Sequence, residues 1–162
     1  MWKRLGVLGG VLAVVALAAG AVGPAFGSSR DVHKHKTIVA TAVFTEFDAS
    51  IDVGAQGLSL GDEVVVSGDL VQNGEQVGRV GLVCSFVSTA TPDRTEAQCP
   101  GTASLPGGQI AVSGVIVNEA LNFTLPITGG SGRYEGADGQ MVSRDVSTPT
   151  QPKVELTFDL KA

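Results

Sequence analysis

The chain has 162 residues, enough for one domain with a substantial core, and 22 of them are glycine. Eleven Lys and Arg face sixteen Asp and Glu, a formal net charge of −5. That sign argues against a nucleic-acid partner, which would require basic groups to displace phosphate counterions.

Lys3 and Arg4 form a short basic start, and the run from Leu5 to Val22 carries no charge. Small residues then suit cleavage after Ala21 or, with Ala25 and Gly27 in place, after Gly27. Residues 1–27 are therefore expected to be a signal peptide that exports the rest. The apolar run is also about the minimum for a bilayer span, so an uncleaved membrane anchor is the alternative. Removing the segment leaves nine Lys and Arg against sixteen Asp and Glu, a balance of −7.

Residues 28–36 read as a polar linker. His33 and His35 are the only histidines, and Lys34 and Lys36 beside them would repel a cation, so no metal is expected. A barrel without histidine also has no Ser-His-Asp or Cys-His centre.

From Thr37 onward the hydrophobic period is two. Strands are predicted over 37–47, 62–71, 76–88, 95–105, 108–118, 120–128, 137–147 and 153–161. The last is the clearest, with Val154, Leu156, Phe158 and Leu160 on one face and Lys153, Glu155, Thr157, Asp159 and Lys161 on the other. Connectors such as Asn73-Gly74, Pro92-Asp93 and Pro106-Gly107-Gly108 are too short to cross between parallel strands. The predicted class is all-β: an eight-stranded antiparallel up-and-down β-barrel, calycin-like, over residues 37–162. Closure removes the exposed edges, and an open sandwich is the alternative.

Cys84 and Cys99 are the only cysteines, set in strand-like runs on either side of Thr91-Pro92-Asp93. In an exported chain such a pair is expected to be oxidised to a disulfide, and a hairpin there would bring them opposite one another. The run Ile127-Thr128-Gly129-Gly130-Ser131-Gly132-Arg133-Tyr134-Glu135-Gly136-Ala137-Asp138-Gly139 lacks the Lys-Ser/Thr of a phosphate loop. Glu135 also holds the place of the third glycine of a dinucleotide fingerprint. Gly129, Gly130 and Gly132 read instead as a tight connection, with Gly136 and Gly139 as bends or bulges in the next strand.

That run closely resembles the signature hairpin of the allene oxide cyclase and dirigent-protein barrels. Ser59-Leu60-Gly61-Asp62 is similar to the family's entry into its second strand, and Gly78 to Cys84 and Gly108 to Gly114 resemble its later strands. The resemblance implies a barrel with a hydrophobic lumen and, by analogy with plant members, a trimer. It implies two activities, both without a cofactor: closing an unstable epoxide to a cyclopentenone, or steering the coupling of reactive phenolic intermediates. In the cyclases an acidic residue near the end of the first strand polarises the substrate. Glu46 and Asp48 hold comparable places and are the candidate catalytic residues. Residues two apart share a strand face, and a carboxyl group walled by apolar residues titrates nearer neutrality.

Phe44, Arg133 and Tyr134 are the candidate ligand-binding residues, with Tyr134 alternatively a packing residue of the hairpin. Gly68 stands where the cyclases carry a water-binding asparagine, and the cysteine of the plant site corresponds to Cys84. Both departures argue against the plant reaction itself. The expected function is an exported barrel that binds a hydrophobic small molecule in its lumen, as a cofactor-independent cyclase, isomerase or steering protein. The alternative is a non-catalytic carrier or sensor of such a ligand.

Overall fold

The computed structural model describes residues 35–161 apart from 55, 92, 93 and 119, with the backbone alone at 46–49 and 90. The expected signal peptide, and His33 of the expected linker, lie outside the described residues. Eight strands follow in order: β1 (His35–Ile51), β2 (Glu63–Gln72), β3 (Glu75–Thr91), β4 (Arg94–Leu105), β5 (Gly108–Val117), β6 (Phe123–Gly132), β7 (Asp138–Asp145) and β8 (Lys153–Lys161). Each pairs antiparallel with the next, and β1 pairs with β8, so the sheet is a closed barrel. Among the described residues no helix is long and apolar enough to cross a membrane.

Alternation sets which face is inside. In β8, Val154, Leu156, Phe158 and Leu160 are buried while Lys153, Glu155, Thr157 and Asp159 are half-buried on the outer face. Leu125 and Ile127 of β6 are buried between exposed Thr124, Pro126 and Thr128. This is the pattern of a sheet with one dry and one wet face.

Only β8 keeps both limits of the sequence expectation, and three of the differences bear on the fold. β1 starts at His35 inside the stretch read as linker, because His35 and Lys36 pair with Lys161 and Leu160. It also runs on to Ile51, paired with Glu63. The glycine run is no connector: Gly129, Gly130 and Gly132 belong to β6 and pair with Ala111, Ile110 and Gly108 of β5. At Gly130 a Cβ would press on the Gln109 carbonyl oxygen and the Tyr134 side chain, so the close approach of strands there demands glycine. The actual turn is 133–137, with Gly136 at φ 73°.

Cys84 and Cys99 are joined, with a sulfur separation of 2.05 Å and Cα atoms 4.1 Å apart. The pairs Leu82 with Gly101 and Ser85 with Gln98 bracket them, so the bridge crosses directly between β3 and β4. The loop it closes spans 15 residues, which in the chain-entropy picture contributes about 3 kcal/mol. A Cys84→Ser/Cys99→Ser double variant is expected to lose about that much in denaturant unfolding. A thiol assay on the denatured wild type should find no reactive thiol, and two would contradict the bridge.

Candidate functional site

An up-and-down barrel has two dissimilar ends. One carries the short connectors 73–74, 106–107 and 133–137 together with both ends of the described chain; the other carries 52–62, 118–122 and 146–152. The first end is shut. Tyr134 is 6% exposed, its hydroxyl donates to the Pro106 carbonyl oxygen at 3.3 Å, and the Lys36 ammonium stands 5.4 Å above its ring. Leu105, Ile110 and Leu160 are buried behind it.

Towards the second end the interior holds a cavity of about 120 Å³. The space exists because small side chains face inward there: Ala42, Cys84, Ala97, Cys99, Ala120 and Ser143 all line it. Phe44, Leu82, Phe86, Ile116, Leu121 and Phe123 supply the bulkier walls. The disulfide is thus a wall of the cavity. Ser143 is the one hydroxyl among the described lining residues; it is 1% exposed and donates to the Leu121 carbonyl oxygen at 2.8 Å. No described lining residue is ionisable. Such a cavity recognises an apolar group by shape and offers it little polarity.

Two carboxylates at this end brace its connectors. Asp62 is buried, and its carboxylate accepts the Val53 N–H at 2.7 Å and the Ser59 N–H at 2.6 Å, with the Ser59 hydroxyl at 3.1 Å. Its pKa is lowered, first by the Val53 amide and then by the Ser59 amide, against the opposing effect of burial. The same connector is tied to the cavity wall: Gly61 N–H donates to the Phe86 carbonyl oxygen and Phe86 N–H to that of Asp62, at 3.0 and 2.9 Å. On the 146–152 connector, the Asp145 carboxylate accepts the Ser147 N–H at 2.9 Å, and its pKa is lowered by the Ser147 hydroxyl and then the amide.

Of the candidate residues, Phe44 lines the cavity. Arg133 and Tyr134 sit on the 133–137 turn at the opposite, shut end: Arg133 is exposed, and Tyr134 packs into the hairpin. The side chains of Glu46 and Asp48 lie outside the described residues. Their backbone belongs to β1, where register shifts fall between Phe44 and Glu46 and again between Glu46 and Ala49. Strict two-residue alternation, on which their shared face was argued, is interrupted there. His35 is exposed at the start of β1, and among the described residues no three ligating side chains cluster as a metal would need.

Gly68, where the cyclases carry asparagine, lies opposite Phe44, and a Cβ there would stand 2.5 Å from the Val43 carbonyl oxygen. A side chain at 68 would therefore force β1 and β2 apart. Sequence reasoning missed Asp62, Ser143 and the position of the cavity. The available signal for the cavity was the row of small residues at inward positions of β1, β3, β4 and β7.

The sequence profile described as "Allene oxide cyclase barrel like domain" matches residues 37–157. The chain belongs to that family. Among solved structures, a pyocyanin demethylase is 32% identical, with a TM-score of 0.65 over 75% of this chain and 98% of its own. An exo-specific intermolecular Diels–Alderase is 20% identical, with a TM-score of 0.59 over 80% and 99% of the two chains. A pterocarpan synthase dirigent protein is 15% identical, with a TM-score of 0.60 over 91% and 96%. The last two likenesses are of fold. No curated protein sequence matches the chain.

A carboxylate whose pKa is lowered on folding stabilises the fold fully above its unfolded pKa, and that contribution is lost as pH falls through the folded value. The Val53 and Ser59 amide protons are therefore expected to shift in NMR spectra with a midpoint below the ordinary carboxylate range. Asp62→Asn should abolish that titration and loosen connector 52–62. A midpoint at the ordinary value would contradict the brace.

Proposed function

We propose that the protein is an exported barrel that draws an apolar small molecule into its open-end cavity and promotes a cofactor-independent ring closure, isomerisation or stereochemically steered coupling. One observation carries this reading: a cavity of about 120 Å³ walled by apolar side chains, shut at one end of the barrel. Holding a flexible molecule in a reactive shape removes much of the entropic barrier, and a cycloaddition or ring closure needs no acid or base where shape suffices. The similar structures support chemistry on small organic molecules in barrels of this kind, one being described as a demethylase of pyocyanin and one as an intermolecular Diels–Alderase. Glu46 is the proposed polarising carboxylate where a reaction needs one, with Asp48 beside it. Export is supported by the disulfide, which persists in oxidising compartments. A homo-trimer is the proposed assembly, on the family resemblance alone.

The second reading is a carrier or sensor that does no chemistry. It is favoured by the lack of an ionisable side chain among the described lining residues. Mass spectrometry of compounds that co-purify with the protein should recover an apolar molecule, and Glu46→Gln separates the readings. Turnover of that molecule that falls at least tenfold in Glu46→Gln supports catalysis; equal turnover ends the assignment of Glu46, and no turnover by the wild type supports the carrier.

The cavity itself is tested with toluene as the probe, followed by NMR. Ala120 is half-buried on the mouth connector and lines the cavity, so Ala120→Trp fills the space with little disturbance of the ladders. The filled variant is expected to bind toluene at least tenfold more weakly. Equal affinity in both proteins would sink the cavity as the ligand site.

A further inference from the structure

Exposed large apolar side chains gather at the open end. Val53, Leu58 and Leu60 lie on the 52–62 connector, Val87 near the end of β3, Val117 at the end of β5 and Val146 just past β7. Leu58 and Leu60 are 51% and 65% exposed. At the shut end Val39 is exposed as well, but the turn and strand ends there carry mainly charged side chains such as Arg133, Glu135, Asp138 and Lys161. Two exposed leucines two residues apart on one connector of this rim offer apolar surface that a guest could cover.

The leucines are held in place. Asp62 fixes Val53 and Ser59 through their amides, and Gly61 is bonded to the backbone of Phe86, a cavity-wall residue. Leu58 and Leu60 are therefore displayed on a braced connector tied to the cavity wall. The cavity, moreover, is small. A void of about 150 Å³ is known to hold one benzene, so about 120 Å³ accommodates roughly a single ring or a short branched chain. Ligand sites more often fall between about 300 and 1,000 Å³. A guest of ordinary size must continue past the mouth, onto the rim.

We propose that the ligand is an elongated apolar molecule, with one end seated in the cavity and an alkyl chain or second ring lying against Leu58 and Leu60. This rests on the reading of the cavity as the ligand site. A narrow guest suits the rim better than a flat bilayer does. The β3–β4 hairpin continues to Thr91 opposite Arg94, beyond the last pairs with β2 (Glu63 with Ser85) and β5 (Glu96 with Val117). Its end bears exposed Thr91 and Arg94, polar groups that a bilayer laid over this end would have to desolvate.

The test compares the full-chain protein with Leu58→Ser/Leu60→Ser across toluene, butylbenzene and hexylbenzene. In the wild type, affinity should rise roughly fourfold per added methylene. In the double variant the gain should fall below about twofold per methylene, with toluene still bound; Leu60→Ser alone serves where the double variant does not fold. Toluene binding with the same gain in both proteins, or with none in the wild type, overturns this proposal alone. Absence of toluene binding overturns the cavity reading and this proposal with it. Wild-type retention on phosphatidylcholine vesicles, lost in the variant with the chain-length gain intact, would assign the rim to a membrane and overturn it as well.

Discussion

Nine consecutive residue pairs, from His35 opposite Lys161 to Val43 opposite Lys153, join the first strand to the last. Closure satisfies the backbone groups that an open edge would expose, and it fixes a tube whose inward row must be filled by side chains or left empty. Everything about the site follows from that constraint. Where the inward residues are large, as with Leu70, Ile110, Phe158 and Leu160, the tube is packed. Where they are Ala42, Ala97, Cys84, Cys99 and Ser143, the same wall encloses space.

The disulfide belongs to this logic twice over. It ties β3 to β4 across the barrel wall, and its sulfur atoms occupy two lining positions with little volume. A leucine pair there would fill the cavity and still keep the core apolar. Bulk at the mouth comes from Phe44, Phe86, Leu121 and Phe123; Leu121 lies on the 118–122 connector and Phe123 directly after it. The interior is thus lined for an apolar guest, and at the open rim the bonds that Asp62 and Asp145 make hold their connectors.

The eight strands were legible because alternation is a strong signal where one face is dry. β8 shows it in its plainest form, and its limits, Lys153 and Lys161, are those read from the sequence. The glycine run misled because glycine has two causes. Gly136 has the positive φ of a turn, but Gly130 is glycine because two strands and Tyr134 approach too closely for a Cβ, a fact of tertiary contact that no local pattern carries. The segment Ser59 to Asp62 stood out by resemblance, yet its task was hidden. The carboxylate reaches back to Val53 across a connector whose path the sequence does not encode. The cavity was illegible for a related reason: small residues scattered over four strands become one space only once the register is set.

Register also bears on where chemistry would arise. β1 pairs evenly with β8 through Val43, but against β2 it slips twice between Phe44 and Ala49, just beyond the point where Gly68 lets the two backbones close together. Extra residues of this kind re-aim side chains and favour the margins of binding sites. Phe44, the last residue before the slips, lines the cavity; the slips themselves fall on the half of β1 that leads to the open end. A wall built by strict alternation presents an unbroken apolar surface to a guest. The stretch of β1 that departs from alternation is the one that carries Glu46 and Asp48, and an irregular strand at the mouth is where an otherwise apolar tube can acquire a polar group.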